Sequence, residues 1–290
     1  MTSLMSQSTA MPKSIADEAA ATVESVRVPL PVAIDPLAVH PLHTSQPADV
    51  WGLPFRRWTM DQTLAWIDAA VIAKQPRQVI TANVHTCMVA EQSPELHRRM
   101  QDREAVAVVA DGMPIVWASE LAGRSLPERV AGSELITQLA QRAAAKGHRV
   151  YLLGGRPEVL DEAAVRLNQL APALQVVGTH SPPFRERSEE EEAAICRRVA
   201  DSGADIVLVA MGQPAGELWL ARNLPRLGVS VGIQLGASFD FVAGRVRRAP
   251  RWLQVVGGEW LFRLAMEPRR LLGRYVANLR YLVKAMRTQR

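Results

Sequence analysis

Short, continuous apolar runs alternate with amphipathic helical stretches from Trp51 onward, and this alternation constrains the fold more than any other feature of the chain. The apolar runs are QVITANV, AVAVVADG, RVYLLGG, LQVVGTH, DIVLVAMG and VSVGIQLG. The intervening sequence predicts helices at 59–74, 86–102, 133–147, 157–170, 188–202 and 215–227. Apolar strands separated by helices are typical of a parallel sheet buried on both faces. We therefore predict an α/β fold over residues 51–244, with a Rossmann-like, mostly parallel sheet flanked by helices.

Residues 1–50 do not share this pattern. They are rich in Ser, Thr, Pro and Ala, and the prolines of VPLPVAIDPLAVHPLHTSQPAD recur too often for a helix. We predict a flexible N-terminal extension.

The sequence shows no clear signal peptide, membrane-spanning segment or disulfide pattern. The N-terminus lacks the basic start, apolar run and cleavage site of a signal peptide, and charges interrupt every apolar run before it reaches the roughly 18 residues of a membrane span. The only cysteines, Cys87 and Cys196, have no CxxC partner, so we expect reduced side chains. These features favour a cytoplasmic protein that can contact the membrane from that side.

The basic charge of the chain is concentrated at its end. Residues 245–290, which we call the appendage, carry twelve Lys and Arg side chains against two acids, Glu259 and Glu267. The net charge of the whole chain is +5, so residues 1–244, with 22 basic and 27 acidic side chains, carry −5. Such a basic block favours an anionic partner, such as nucleic acid, anionic lipid or a phosphorylated ligand.

A helical pattern follows Pro268 in the appendage. It places apolar side chains on one face: Leu272, Tyr275, Val276, Leu279, Val283 and Met286. A basic amphipathic helix of this kind can lie on an anionic membrane surface. In the alternative interpretation, the apolar face packs on the sheet domain and the arginines face water. The pattern alone leaves both roles open.

Polar side chains and glycines cluster where the predicted strands end, which is where parallel sheets bind ligands. Thr81, Asn83 and His85 would point to one side of the first strand, where they either cap a helix or line a site. Asp111 and Gly112 end the second strand, and an Asp-Gly pair is also ordinary turn chemistry.

Two further strand ends are rich in glycine. Gly154 and Gly155 predict a close-approach turn whose free N–H groups suit a phosphate. The segment GQPAGELW predicts a turn that enters a helix, with Glu217 in its first turn.

Several catalytic motifs are absent from the sequence, which contains no Walker loop, GxSxG, HExxH or DxD pair. A metal-free transfer would therefore stabilise a phosphate leaving group with arginines and backbone N–H groups. A dinucleotide-dependent oxidoreductase would need a Gly-rich loop after the first strand, which is not evident. A nucleic-acid-binding protein would explain the basic appendage, and a noncatalytic sugar-nucleotide sensor would use the same strand ends.

Taken in order, the motifs TANVHT, VADGMPIVWASELAG, ERVAGSELI, VYLLGG, VVGTH, MGQPAGELW, GASFDFVAGRVRRAPRW and GGEWLFRLAMEPRRLLGRY resemble the WecG/TagA/CpsF glycosyltransferases, glycosyltransferase family 26. The resemblance covers about residues 51–282. It implies inverting, metal-independent transfer of a sugar from a UDP-sugar to a polyprenyl-pyrophosphate-linked acceptor, in bacterial surface or extracellular polysaccharide biosynthesis. The donor sugar stays open between an N-acetylmannosamine type, its uronic acid and a hexose. Neither a cofactor, a metal nor nucleic acid is expected, and a homo-oligomer is possible.

The same resemblance implies roles for individual residues. Asp111 would be the general base, and an ordinary aspartate, with a pKa of about 3.9, needs no special tuning to be ionised at neutral pH. The residues implied to bind substrate are Thr81 and Asn83 at the sugar, Arg129, Gly132, Gly154 and Gly155 at the nucleotide, and Gly112, Gly212, Gln213 and Glu217. Candidates for gripping the acceptor pyrophosphate are Arg247, Arg248, Arg251, Arg263, Arg270 and Arg274.

One position departs from the family pattern. The family reads G-x-P-x-Q-E in the turn where this chain reads GQPAGE, so Gly216 stands in place of the glutamine. Gln213, three positions earlier, is the candidate to replace the missing side chain.

Overall fold

The computed structural model describes residues 46–250, 252–253 and 257–288, and within them eight strands form one sheet surrounded by eleven α-helices. The strands are β1 (Ala48–Val50), β2 (Leu53–Phe55), β3 (Arg77–Ala82), β4 (Val106–Ala110), β5 (Arg149–Gly154), β6 (Gln175–His180), β7 (Ile206–Ala210) and β8 (Val231–Gln234). The helices are α1 (Met60–Ala73), α2 (Val84–Gln92), α3 (Pro94–Gln101), α4 (Met113–Leu121), α5 (Gly132–Lys146), α6 (Pro157–Leu170), α7 (Glu189–Asp201), α8 (Ala215–Asn223), α9 (Gly236–Val242), α10 (Glu259–Met266) and α11 (Pro268–Thr288). The predicted α/β fold is confirmed.

The sheet runs in the order β1-β2-β4-β3-β8-β7-β5-β6, and all neighbours are parallel except β1 and β2. The strands β4 and β7 are buried at every position, which is why their sequences are continuously apolar. The short strands β1 and β2 escape sequence detection because three residues show no periodicity. Since β1 pairs with β2, the sheet begins at Ala48 rather than after residue 50. Residues 1–45 of the predicted extension lie outside the described residues.

Prolines set two helix boundaries that differ from the predicted ones. The single helix predicted over 86–102 is wrong, because Ser93 ends α2 and caps α3, which Pro94 begins. The helix predicted over 215–227 ends at Asn223 and continues as a 3₁₀ turn, Leu224–Arg226, that contains a proline.

Helices cover both faces of the sheet. On one face, α1, α5, α6 and α9 pack around a core that includes Trp66, Leu139 and Phe239. On the other face, α2, α3 and α4 pack over β1 to β4, while α7 and α8 pack over β5 and β7. The chain therefore leaves the central strand β3 toward one face and its neighbour β8 toward the other. Such a divergence at adjacent strand ends is where open α/β sheets bind ligands.

The appendage contains α10 and α11, and α11 has two apolar faces with different surroundings. Leu271, Tyr281 and Ala285 are buried, and the ring of Tyr281 meets Trp51 edge-on with centroids 5.7 Å apart. The predicted apolar stripe is instead exposed at four positions, Leu272, Val276, Leu279 and Val283. Packing against residues 46–244, which we call the body, thus accounts for only part of the apolar surface of this helix. No helix in the described ranges is both long and apolar enough to cross a bilayer.

Candidate active site

Asp111 follows β4 directly, at the carboxyl edge of the sheet. Its backbone N–H donates to the carbonyl of Ala82 at the end of β3, over 2.8 Å. The next residue, Gly112, caps α4 with a φ of 152°, a conformation that only glycine adopts readily. The Asp-Gly pair therefore forms a turn, and the turn presents the carboxylate at the strand end.

The environment of the Asp111 carboxylate changes its basicity. Burial raises its pKa from 3.8 to about 6. The positive charge of Arg129 and a hydrogen bond from the backbone N–H of Gly132 oppose that rise, whereas the carboxylates of Glu259 and Glu134 add to it. At neutral pH the group is still mostly ionised, but it is a stronger base than a free aspartate. Burial therefore tunes this carboxylate, although its ionisation at neutral pH, as expected of an aspartate, does not depend on that tuning.

Gly132 brings the start of α5 close to β3 and β8. A β-carbon on Gly132 would lie 3.0 Å from Cδ2 of Leu235 and 3.3 Å from the hydroxyl oxygen of Thr81. Thr81 itself is buried near the end of β3. The structure thus places Thr81, Gly132 and Asp111 side by side, as expected if they share one site.

Asn83 serves as the N-cap of α2. Its Oδ1 accepts hydrogen bonds from the backbone N–H of Thr86, over 3.1 Å, and from the Thr86 hydroxyl, over 3.3 Å. The capping role is confirmed, and the side-chain amide nitrogen takes no part in it. His85 lies inside α2 rather than on a strand, so the predicted one-sided row of Thr81, Asn83 and His85 is wrong. Its Nδ1 is 3.2 Å from Oδ1 of Asn278 in α11.

Gln213 and Glu217 link the end of β7 to this cap. Nε2 of Gln213 donates to the hydroxyl of Thr86 over 3.2 Å, and the Gln213 side chain also hydrogen-bonds the carboxyl group of Glu217. Glu217 is only 1% exposed, and burial raises its pKa to about 7. Glu217 is therefore a buried carboxyl group at the start of α8, and its substrate-binding role stays a prediction. The contacts run from Glu217 through Gln213 and Thr86 to Asn83, and they link the turn after β7 to the end of β3.

Gly154 and Gly155 pack against the neighbouring strand. A β-carbon on Gly154 would lie 2.8 Å from the carbonyl oxygen of Ala210 in β7, and Gly154 has a φ of 93°. The N–H of Gly155 donates to the same carbonyl over 2.8 Å. This N–H group is therefore occupied, and the predicted pair of free N–H donors is wrong. The two glycines allow β5 and β7 to approach closely, and they do not join the residues around Asp111.

Four charged side chains, which we call the charge quartet, connect the appendage to the body beside Asp111. Arg129 and Glu134 come from the body, and Arg248 and Glu259 from the appendage. Nη2 of Arg129 is 2.8 Å from Oε1 of Glu134, and its Nη1 is 3.8 Å from Oε2 of Glu259. Nη2 of Arg248 lies 3.3 Å from Glu134 and 3.6 Å from Glu259. Each arginine therefore lies between two carboxylates.

Other appendage arginines gather near the quartet. The guanidinium carbons of Arg248 and Arg263 lie 6.0 and 5.2 Å from the ring centre of Phe241. Burial, with the charges of Arg263 and Arg270, lowers the pKa of Arg274. The Nε–H groups of Arg248, Arg263 and Arg274 are buried without a hydrogen-bond partner among the described residues. Arg270 pairs with Glu267 over 2.6 Å, Arg247 is exposed, and Arg251 lies outside the described residues.

The sequence also matches the model of a known protein family. The family model described as "Glycosyl transferase WecG/TagA/CpsF family" matches residues 48–290, which includes every residue of the site. The chain belongs to this family. It is therefore a glycosyltransferase of polysaccharide biosynthesis, and the general substrates of the family are a sugar-nucleotide donor and a lipid-linked acceptor.

The departure of this WecG/TagA/CpsF member at Gly216 has a structural counterpart. A β-carbon on Gly216 would lie 2.2 Å from Oε1 of Gln234, so the buried side chain of Gln234 fills the space beside residue 216. Oε1 of Gln234 also accepts from the N–H of Met211 over 3.3 Å. In this family member, a glutamine from β8 takes the volume that a side chain on α8 would need.

Several residues of the site are not evident from the sequence of this WecG/TagA/CpsF member. Phe241 and Gln234 act through contacts with distant segments, and no local pattern reveals them, whereas Thr86 stands three residues after Asn83, the spacing of a capping box. Glu134 and Glu259 lie in the quoted motifs ERVAGSELI and GGEWLFRLAMEPRRLLGRY, where their pairing with arginines could have been suspected from charge alone. Within the described ranges, no group of three or more His, Cys, Asp or Glu side chains is arranged to hold a metal ion.

Proposed function

We propose that this WecG/TagA/CpsF member is an inverting, metal-independent glycosyltransferase that moves a sugar from a UDP-sugar to a polyprenyl-pyrophosphate-linked sugar acceptor. The observation that supports this most is the placement of Asp111. Its carboxylate stands at the carboxyl edge of a parallel sheet, with a pKa raised by burial to about 6 and a backbone N–H bonded to it. A base with these properties suits deprotonation of a sugar hydroxyl near neutral pH.

The transfer step follows from this base. The acceptor hydroxyl oxygen forms a bond to the anomeric carbon while the bond from that carbon to UDP breaks on the opposite side. Asp111 takes the hydroxyl proton, and UDP leaves with the bonding electron pair. General-base catalysis of this kind contributes about 10²- to 10⁴-fold to the rate.

The donor is proposed to bind across the ends of β3, β4 and β7. Thr81 lies beside Gly132, and Cβ of Asn83 lies 4.0 Å from the β-carbon position of Gly112, so both side chains are assigned to the sugar. Gly112 leaves room for substrate because it has no side chain. Gly212 adopts a φ of 77° in the turn after β7, which favours glycine, and we assign this turn to the nucleotide.

Arginines of the appendage are proposed to bind a diphosphate group of the substrates. Three arginines of the appendage hold a buried Nε–H without a partner among the described residues: Arg248, Arg263 and Arg274. The first two lie near the ring of Phe241. A diphosphate group would supply acceptors for such donors, and charge-assisted hydrogen bonds are the strong ones. We assign this cluster to the pyrophosphate of the acceptor.

The appendage is also proposed to bring the enzyme to its lipid-linked acceptor. Trp260 and Leu261 of α10 are exposed as well, and the Trp260 ring lies 5.9 Å from the ring of Tyr275 in α11. Twelve basic side chains in the appendage favour an anionic surface. The enzyme would then act as a peripheral protein on the cytoplasmic face of the membrane.

A transfer assay tests the proposal. The full chain is incubated with liposomes that carry a polyprenyl-pyrophosphate-linked sugar and with a panel of UDP-sugars: N-acetylmannosamine, its uronic acid and plain hexoses. All reactions contain excess chelator. Transfer of one labelled sugar to the lipid, with inversion at the anomeric carbon, is the expected result. Absence of transfer from every donor, retention of configuration or a strict need for a divalent ion would contradict the proposal.

A further inference from the structure

Glu259, the first residue of α10, has no role in the transfer step described above, yet it contacts Arg129, whose charge acts on Asp111. Its side chain is 16% exposed, and that of Arg129 is 15% exposed, so the two groups face each other in a largely closed environment. Gly257, two residues earlier, packs on α4, because a β-carbon there would lie 2.9 Å from Cβ of Met113. The segment that carries Glu259 is thus seated on the helix that follows Asp111.

Among the described residues, Arg129 is the cation whose charge opposes the raised pKa of Asp111. A guanidinium can neutralise a neighbouring carboxylate, and this would make Asp111 a weaker base. In the charge quartet, however, Arg129 is shared between Glu134 and Glu259, over 2.8 and 3.8 Å. The appendage therefore supplies half of the negative charge that competes with Asp111 for this arginine.

We infer that Glu259 is a positioning residue for the transfer reaction: by holding Arg129 away from full pairing with Asp111, it makes a docked appendage part of the environment of the base. The inference rests on the proposed function, because it assigns no chemistry of its own to Glu259. Docking of the appendage then makes Asp111 a stronger base, because docking brings Glu259 to Arg129. When the appendage is displaced, Arg129 is released to neutralise Asp111.

The charged groups that face Asp111 determine the sign of the effect. They are Arg129 from the loop before α5, Glu134 from α5, Glu259 from α10 and, through the quartet, Arg248 from the loop after α9. Removing the charge of Glu259 ends its direct repulsion of Asp111 and also frees Arg129. Both changes lower the pKa of Asp111, so the acidic limb of the rate profile moves to lower pH.

The test compares Glu259→Gln, Glu259→Asp and Glu162→Gln in the full-length enzyme. Glu162 is the matched control, because it too pairs with an arginine of the appendage, Arg245, over 2.6 Å, but it is absent from the groups that perturb Asp111. The measurements are kcat and kcat/KM against pH. In addition, an NMR titration of the Asp111 carboxyl carbon, assigned by comparison with Asp111→Asn, reports the pKa even in a variant with little activity.

In Glu259→Gln the acidic limb and the NMR midpoint are expected to move down by about half a pH unit, which raises the ionised fraction of Asp111 about threefold at low pH. In Glu259→Asp and Glu162→Gln, the acidic limb and the NMR midpoint should stay within about 0.2 pH units of the wild-type values. An unshifted midpoint in Glu259→Gln, or an equal shift in Glu162→Gln, would overturn the inference. If the wild-type enzyme transfers sugar but the NMR midpoint of Asp111 does not move in Glu259→Gln, only this inference fails. If the wild-type enzyme transfers sugar from no donor, the proposed function fails.

Discussion

The backbone N–H of Gly132 donates a hydrogen bond to the carboxylate of Asp111. This bond joins the first residue of α5 to the loop after β4, so the base is held by the main chain rather than by a mobile side chain. A backbone donor of this kind is already oriented before substrate binds, which reduces reorganisation during the reaction. The absence of a side chain at residue 132 makes the approach possible.

The substitution Gly132→Ala should therefore impair catalysis. The new β-carbon would lie 3.0 Å from Cδ2 of Leu235 and 3.3 Å from the Thr81 hydroxyl, so these side chains or the start of α5 must shift, which disturbs the hydrogen bond to Asp111. We expect kcat to fall about tenfold or more, since a hydrogen bond to a charged group is worth about 1.5–3 kcal/mol. The acidic limb should also move to higher pH, because this bond lowers the pKa of Asp111. Gly273→Ala is the control, as nothing lies within 4 Å of its β-carbon position, and it should leave kcat unchanged.

The packing of Gln234 over Gly216 predicts coupling between these two positions. Helix propensity alone predicts that Gly216→Ala in α8 stabilises the protein by about 1 kcal/mol. The β-carbon would instead meet Oε1 of Gln234 at 2.2 Å, so we expect a loss of about 1–3 kcal/mol in the free energy of unfolding. The double variant with Gln234→Ala should recover part of that loss in denaturant titrations. Stabilisation by Gly216→Ala alone would show that Gln234 does not occupy this space.

The exposed stripe of α11 predicts a defect in membrane binding that is separate from folding. In the double variant Leu272→Ser and Leu279→Ser, both side chains are more than half exposed, so thermal stability should change little. Sedimentation with liposomes that contain anionic lipid should weaken clearly, and added salt should weaken the remaining binding. Ile72→Ser on α1 is the control, since that side chain is 76% exposed but belongs to the body. Equal losses in the two variants would argue against a specific membrane face.

The raised pKa of Asp111 predicts the pH dependence of the wild-type enzyme. A base must be deprotonated to act, so kcat/KM should rise tenfold per pH unit on the acidic side and level off above about pH 6. An acidic limb near pH 4, the range of an unperturbed aspartate, would mean that burial does not tune this group. The profile is measured with saturating acceptor, at constant ionic strength.

Much of the fold follows from the sequence, because buried parallel strands are apolar on both faces and stand out between helices. The six long strands were predicted in this way, and the positions of Asp111, Thr81 and Asn83 at strand ends follow from the same pattern. The short strand Ala48–Val50 was not predicted, because its stability comes from pairing with β2 rather than from its own composition.

The environment of the site could not be predicted, because it depends on contacts between distant segments. Glu259 meets Arg129 across 130 positions of the chain, and Gln234 fills space over Gly216 from another strand. Local sequence also suggested free N–H groups at Gly155, whereas the neighbouring strand accepts that hydrogen bond. Spacing along the chain carries no information on such pairings.

The assignment of Asp111 as the base is tested most directly by Asp111→Asn, measured for sugar transfer and for UDP-sugar binding in parallel. Asparagine keeps the shape of the side chain but cannot accept the proton, so kcat should fall by about 10²- to 10⁴-fold. The dissociation constant for the donor, from calorimetry, should stay within a few-fold of the wild-type value. Transfer at the wild-type rate by Asp111→Asn would contradict the account.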